Sequence, residues 1–308
     1  MLRPQFNFLQ HRTKAYIFSG ILILIGLASL LINGLNLGID FTGGTILHMR
    51  LPGGYQMEEV REVLEPYGLS GVPLQRVGRA VDPSGDEVII KGPHLDEQTR
   101  RDILSSFQER WTGMTTNDIL RVDNVGAVIG RELTREAFLA LLIAAAGMVL
   151  YITLRFEFKF ALAAIIALLH DAFVIIAIFS IFQLEINSPF IAAVLTIIGY
   201  SINDTIVVFD RVRENLKFRR KRTLKEVVND SINENLVRSV NTSLTTLIVL
   251  MSLFIAFNYF VGGMDLRVFA LALLVGILSG TYSSIFIASP FWYSWRVKDE
   301  KGREKATT

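Results

Sequence analysis

Six stretches of the chain are almost unbroken runs of apolar residues: 15–35, 137–154, 160–184, 188–209, 239–261 and 268–295. Each has the roughly 17 residues or more that an α-helix needs to cross a bilayer core. Four of the six contain no Asp, Glu, Lys, Arg or His; the third carries His170 and Asp171, and the fourth carries Asp204. Residues 36–136 follow another rhythm. Short alternating runs predict strands at 45–51, 72–79, 87–91 and 118–125, and helical spacing predicts helices at 57–68 and 96–110. Turn residues separate them: Pro52-Gly53-Gly54, Gly68, Asp82-Pro83-Ser84-Gly85 and Gly92-Pro93. The order βαββαβ is that of a ferredoxin-like split unit. The expected fold is therefore an α-helical membrane protein, with six transmembrane helices and one α+β ferredoxin-like outer domain between helices 1 and 2.

Composition agrees. Of 308 residues, 51% are hydrophobic and 19% charged, with mean hydropathy +0.42. This excludes a disordered chain and an ordinary cytosolic enzyme. With no cysteine, disulfides, thiolate catalysis, iron–sulfur clusters and Cys-ligated zinc are excluded. The distribution of charge orients the spans. If all six cross, one side receives residues 1–14, the links after spans 2 and 4, and the tail after span 6. These carry three, two, nine and five Lys/Arg, against Arg267 alone in the two short links opposite. Positive charge stays inside, so both termini are expected in the cytoplasm and 36–136 outside, in the periplasm. Tyr16, Tyr151, Trp292, Tyr293 and Trp295 then fall near the inner interface and Tyr259 near the outer one. No A-x-A-like site follows the first span, which reads as an uncleaved anchor. The expected organisation is a cytoplasmic N-terminus with the first span (1–35), the outer domain (36–136), spans 2–6 with a basic link at 210–238 (137–295), and a cytoplasmic tail (296–308).

The outer domain holds 11 Lys/Arg and 16 Asp/Glu, which does not oppose this orientation because long domains translocate regardless of charge. His48 and His94 have no second ligand at i+3 or i+4 and read as isolated surface or strand histidines; no metal and no cofactor is expected. The entry segment Gly38-Ile39-Asp40-Phe41-Thr42-Gly43-Gly44 reads as a tight exit from the first span. Its glycines permit close backbone approach, and Asp40 and Thr42 can satisfy free backbone groups.

Ionisable residues inside spans cost roughly 2.5–3.5 kcal/mol each and mark function or paired structure. Asp204 lies about 21 Å down its span from Phe190. Thr196, Tyr200, Asn203 and Asp204 share one face. Asn241, Thr242, Thr245 and Thr246 form a second polar stripe beginning at Arg238, at a depth similar to that of Asp204, so the two charges could pair if their helices are neighbours. His170 and Asp171 lie near the midplane. Asp204, Arg238, Asp171, His170, Asn203, Asn241 and Thr242 are the candidate proton-relay residues. For each, a structural role stands beside the functional one: paired packing for Asp204, snorkelling for Arg238, mutual hydrogen bonding for His170 and Asp171. Gly276, Gly280 and Ser284 allow close helix approach. In the basic link, Thr223–Glu226 forms a capping box. Leu224, Val227, Val228, Ile232 and Leu236 make one apolar face, as in an interfacial helix binding anionic lipid headgroups. Without interleaved aromatics, nucleic acid is not an expected partner.

There is no phosphate-binding loop, H-E-x-x-H or G-x-S-x-G, and a lone intramembrane Asp lacks the paired acids of an aspartyl protease. Gly38–Gly44 (GIDFTGG), His170-Asp171, Gly199–Asn215 (GYSINDTIVVFDRVREN) and Arg238–Thr246 (RSVNTSLTT) together resemble the SecF family of protein-export membrane subunits. The resemblance extends along essentially the whole chain. It implies membership of the resistance–nodulation–division superfamily, partnership with SecD, and association with the SecYEG channel and SecA. It also implies a non-enzymatic role, using the proton-motive force to complete preprotein translocation across the inner membrane. The family's essential charged residues map onto Asp204 and Arg238. The alternatives are a non-transducing scaffold for SecD and the channel, or a small-molecule or lipid exporter of the same superfamily.

Overall fold

A computed structural model describes residues 6–52, 54–77, 86–155, 157–219, 222–259 and 264–307. Arg3, Gly53, the end of the strand expected at 72–79, the turn at 82–85, Arg220, Lys221 and the last two residues of the span expected at 239–261 lie outside them, as does the side chain of Tyr259. The chain divides into two compact units, one of 37–138 with 256–265 and one of the remainder.

In the first unit, β1 (Gly44–Leu51), β2 (Leu74–Val77), β3 (Asp86–Gly92) and β4 (Ile119–Val125) form one antiparallel sheet in the order β2-β3-β1-β4. This is the order of a ferredoxin-like unit, with the two most apolar strands at its centre. Leu47 pairs with Ile90 on one side and Val122 on the other. Because strand side chains alternate, Leu47, Met49 and Leu51 share a face with Val88 and Ile90. Val60 and Leu64 of α3 (Met57–Leu64) and Ile103 and Phe107 of α4 (Glu97–Arg110) cover that face. His48 has the opposite parity but is buried too, with Nε2 2.9 Å from Glu87 Oε2. The expectation of an isolated histidine is thus corrected: its partner is a diagonal cross-strand neighbour that spacing within one strand cannot reveal.

Asp96 caps α4, accepting hydrogen bonds from Thr99 N–H and Thr99 Oγ1, both 2.9 Å. These donors hold its carboxyl below the ordinary carboxylate range. A depressed pKa contributes stability above the unfolded value that is lost as pH falls through the folded one. Asp96→Ala is expected to weaken hydrogen-exchange protection over 97–110 at pH 6, and the difference from wild type should shrink as pH falls through the lowered carboxyl range.

The other unit contains most of the apolar helices. Among the described residues, six helices are long and apolar enough to cross a membrane. They are α1 (Arg12–Ile32), α5 (Ala127–Arg155), α6 (Phe158–Ile181), α7 (Ser188–Lys217), α8 (Leu224–Tyr259), and a last one formed by α9 (Met264–Ser283), a π-helical turn (Ser284–Ala288) and α10 (Ser289–Thr307). Helix α6 lies against α1, α7 and the π-helical turn. Small residues allow this. A Cβ on Gly26 of α1 would sit 2.4 Å from Ala177 Cβ, and one on Gly276 of α9 would sit 2.2 Å from the Ile197 side chain of α7.

Helix α8 merges two expected elements, the interfacial segment and the fifth span, into 36 continuous residues. Leu224, Val227, Val228 and Ile232 are buried within the protein instead of facing lipid. The correction is physical: amphipathic spacing shows that a face must be covered, not by what. Three of the basic link's arginines are likewise paired within the chain: Arg211 with Glu214 and Glu234, Arg219 with Glu300, and Arg222 with Asp230.

Candidate functional site

A short helix, α2 (Ile39–Thr42), leads from the first span into β1. Gly43 and Gly44 follow with φ of 73° and 145°, a region that L side chains avoid. A Cβ on Gly43 would lie 3.0 Å from Ala127 Cα, and one on Gly44 would lie 2.7 Å from Gly92 O. The GIDFTGG segment therefore packs backbone to backbone against the first turn of α5 and the end of β3. Thr42 Oγ1 donates to Gly38 O, and Asp40 lies in the first turn of α2. Asp123 on β4 has its carboxyl pushed up by burial, against the opposing pull of Arg121, with Asp265 and Asp40 adding repulsion. Among the described residues no group of three or more His, Asp or Glu is placed to hold a metal.

Two carboxylates in the helical unit have contrasting surroundings. Asp171 on α6 is fully buried. Its Oδ1 accepts from Ser279 Oγ at 2.6 Å and faces His170 Nδ1 at 3.1 Å. Its Oδ2 accepts from Ser201 Oγ and Ser283 Oγ, each at 2.6 Å. Four donors from α6, α7 and α9 thus fill the about four lone-pair sites of a carboxylate, and a proton placed there would displace one of them. Asp204 on α7 is half-buried and accepts from two hydroxyls, Ser239 Oγ of α8 at 2.6 Å and Ser284 Oγ of the π-helical turn at 3.0 Å. It retains acceptor capacity for a proton.

A row of hydrogen bonds continues from Asp171. His170 Nε2 is 3.1 Å from Ser19 Oγ, Ser19 Oγ is 3.0 Å from Tyr282 Oη, and Tyr282 donates to Ala15 O at 2.9 Å. With the tyrosine proton on Ala15 O, the Ser19 proton serves the contact with Tyr282. The Ser19–His170 contact then requires a proton on Nε2. A neutral ring, with its proton toward Asp171, leaves one contact without a proton; a ring carrying both completes the row.

The remaining candidates are not gathered around either acid. Arg238 is exposed, and no ion pair joins it to Asp204 among the described residues. It lines an open cleft of about 380 Å³ with Val207, Asp210, Arg211, Glu214, Glu234 and Asn235. The pairing that similar depth left open is not formed, for a geometric reason: Arg238 precedes Ser239 on α8, and successive helical residues point about 100° apart, so the serine meets Asp204. Asn203, Asn241 and Thr242 are exposed, and Thr242 Oγ1 donates to its own helix at Arg238 O.

The serines that hold both acids were missed by reading charges alone. Their signal was present as spacing: Ser279 and Ser283 lie four apart, on one helical face, within a stretch otherwise legible only as close packing.

Residues 107–298 match the family model described as protein export membrane protein SecD/SecF, C-terminal, and residues 28–51 match the SecD/SecF GG motif. The chain is 41% identical to the protein translocase subunit SecF of Sebaldella termitidis, over 96% of this chain and 94% of that one. It is 38% identical to that of Pseudomonas aeruginosa, over 92% and 89%. The protein translocase subunit SecDF of Thermus thermophilus is 39% identical over 99% of this chain, which spans 40% of that protein. A crystal structure of SecDF from the same organism, titled as a translocon-associated membrane protein, superposes with TM-score 0.83 at 37% identity, covering 96% of this chain and 39% of that one.

Proposed function

The chain belongs to the SecD/SecF protein-export membrane family as a multi-pass membrane protein, and from that premise we propose that it is a SecF subunit coupling proton movement to preprotein translocation. The observation that carries this reading is the contrast between the two acids. Asp171 is saturated with donors, whereas Asp204 accepts from only two hydroxyls and retains acceptor capacity within a span.

Asp204 is the exchanging acid. A proton arriving there changes the charge inside the span, and a potential of 100 mV is worth about 2.3 kcal/mol per charge moved across the membrane. Arg238, one residue before the serine that holds Asp204, lines the open cleft. Asn203, Asn241 and Thr242, exposed on α7 and α8, are the proposed polar groups through which a proton reaches Asp204. His170 and its row supply a second place where a proton can rest. The segment 36–136 moves with the spans and acts on the emerging preprotein.

SecD is the expected partner. The fusion of both parts in the Thermus thermophilus relative supports this, as does the exposure of α5 and α8, of whose most apolar windows only 6% and 11% are buried within the chain. Such apolar faces require lipid or another protein. SecYEG, SecA and anionic headgroups complete the proposed surroundings, in the inner membrane with both termini cytoplasmic and 36–136 periplasmic.

The test is late-stage translocation into inverted membrane vesicles containing this chain and SecD. A proton gradient should accelerate completion, and a protonophore should remove the acceleration only where the chain is present. An equal protonophore effect in vesicles lacking the chain would reject the proposal.

A further inference from the structure

The π-helical turn Ser284–Ala288 interrupts the last span at the level where both acids are held. Such turns are rare and are frequent at functional sites. Here it begins between two consecutive serines with different duties. Ser283 closes α9 and donates to Asp171 Oδ2 at 2.6 Å; Ser284 opens the π-helical turn and donates to Asp204 Oδ2 at 3.0 Å. Each also has a second acceptor on its own helix, Gly280 O at 3.2 Å from Ser283 Oγ and Thr281 O at 3.1 Å from Ser284 Oγ. The wide turn is itself supported from within, because Ser289 Oγ donates to Ser284 O at 3.0 Å.

We propose that Ser283 and Ser284 are positioning residues that link the protonation of Asp204 to the Asp171–His170 row. This deepens the proton-relay reading above and rests on it. While Asp204 is ionised it only accepts, and the Ser284 hydroxyl points at it. When Asp204 takes up a proton it becomes a donor. Ser284 Oγ then accepts that proton in a hydrogen bond and turns its own hydrogen to Thr281 O. No covalent bond other than the Asp204 O–H forms or breaks. The change alters what Ser284 requires of the turn, and Ser283, one peptide unit away, has the same choice between Asp171 and Gly280 O. A loosened Ser283–Asp171 bond is felt by His170, whose Nδ1 is on the other oxygen of that carboxylate. The titratable and charged groups on the surrounding elements are His170 on α6, Tyr282 on α9, Tyr200 on α7, Tyr16 on α1 and Arg238 on α8. None of them lies between the two serines and their carboxylates.

The experiment uses the full chain with SecD in lipid vesicles, ¹⁵N-labelled at histidine, with the His170 ring signals assigned by their loss in His170→Gln. They are followed by nuclear magnetic resonance as pH is varied. In wild type a step is expected in the His170 signals that disappears in Asp204→Asn, because it reports Asp204 and not His170 itself. The same step should be lost in Ser284→Ala, lost in the near-isosteric Ser284→Cys, and retained in Ser284→Thr. Ser284→Cys keeps the test intact should the alanine variant misfold. A wild-type His170 signal with no Asp204-dependent step overturns the proposal, and so does a step that persists in Ser284→Ala or Ser284→Cys. Export assays on the same variants separate the two readings. Normal proton-dependent export by Asp204→Asn rejects the relay itself. Loss of export in Asp204→Asn with the His170 step surviving in Ser284→Cys rejects only the serine link.

Discussion

Asp204→Asn is expected to reduce proton-dependent export to the level of protonophore-treated vesicles, while the variant still inserts and still copurifies with SecD. Asparagine has the shape of the carboxylate but cannot take up and release a proton. Its Oδ1 still accepts from Ser239, and a Ser284 hydroxyl facing the new amide can turn to Thr281 O, 3.1 Å away. Both partners remain satisfied, so the stability cost should stay near the about 1 kcal/mol of a single exchanged hydrogen bond. The functional cost is far larger. A charge moved through 100 mV carries about 2.3 kcal/mol, roughly fiftyfold in a rate or population that depends on it. Translocation in inverted vesicles with and without a proton gradient measures the first quantity, and recovery of SecD with the tagged chain measures the second. A scaffold would tolerate the substitution, so normal gradient-driven export by this variant would support the scaffold reading and exclude Asp204 as the exchanging acid.

How much of this was legible in the sequence depended on how local the signal was. The spans, the βαββαβ order and the antiparallel sheet followed from periodicity, because one strand or helix records its own buried face. The GIDFTGG turn was legible as a close backbone approach, although what it approaches, the first turn of α5, was not. Asp204 and Asp171 stood out because a charge in a span is conspicuous. Their surroundings did not. Ser19, Ser201, Ser239, Ser279, Ser283 and Ser284 come from α1, α7, α8 and the last span, and serine in an apolar helix is also a packing residue. The Asp204–Arg238 pairing failed because equal depth on two helices does not fix their rotation about their axes. The π-helical turn was not read from the sequence: no proline or glycine falls between Ser284 and Ala288, and Pro290, which has no N–H to donate back into the turn, lies just beyond it.

Asp171→Asn should behave in the opposite way to Asp204→Asn, costing stability before it costs anything specific to protons. Four donors converge on Asp171: Ser201, Ser279, Ser283 and His170. An amide offers them one oxygen with two lone pairs, and it places an NH₂ where two of the donors point. Ser283 has an alternative in Gly280 O at 3.2 Å, and His170 keeps its contact with Ser19. The remaining mismatch leaves one or two buried polar groups without partners, at about 1–3 kcal/mol each. A loss of roughly 2–4 kcal/mol is therefore expected, against about 1 kcal/mol for Asp204→Asn. Asp171→Leu should cost more, because the apolar side chain offers no acceptor at all and leaves Ser201 and Ser279 without the one they use. Thermal inactivation of the purified variants in one detergent ranks them directly. The expected order of stability is wild type, then Asp204→Asn, then Asp171→Asn, then Asp171→Leu. An Asp171→Asn protein as stable as wild type would show that the serine cage does not hold the helices together. The buried carboxyl group at the meeting point of α6, α7 and α9 would then have to be retained for the chemistry of the row it anchors.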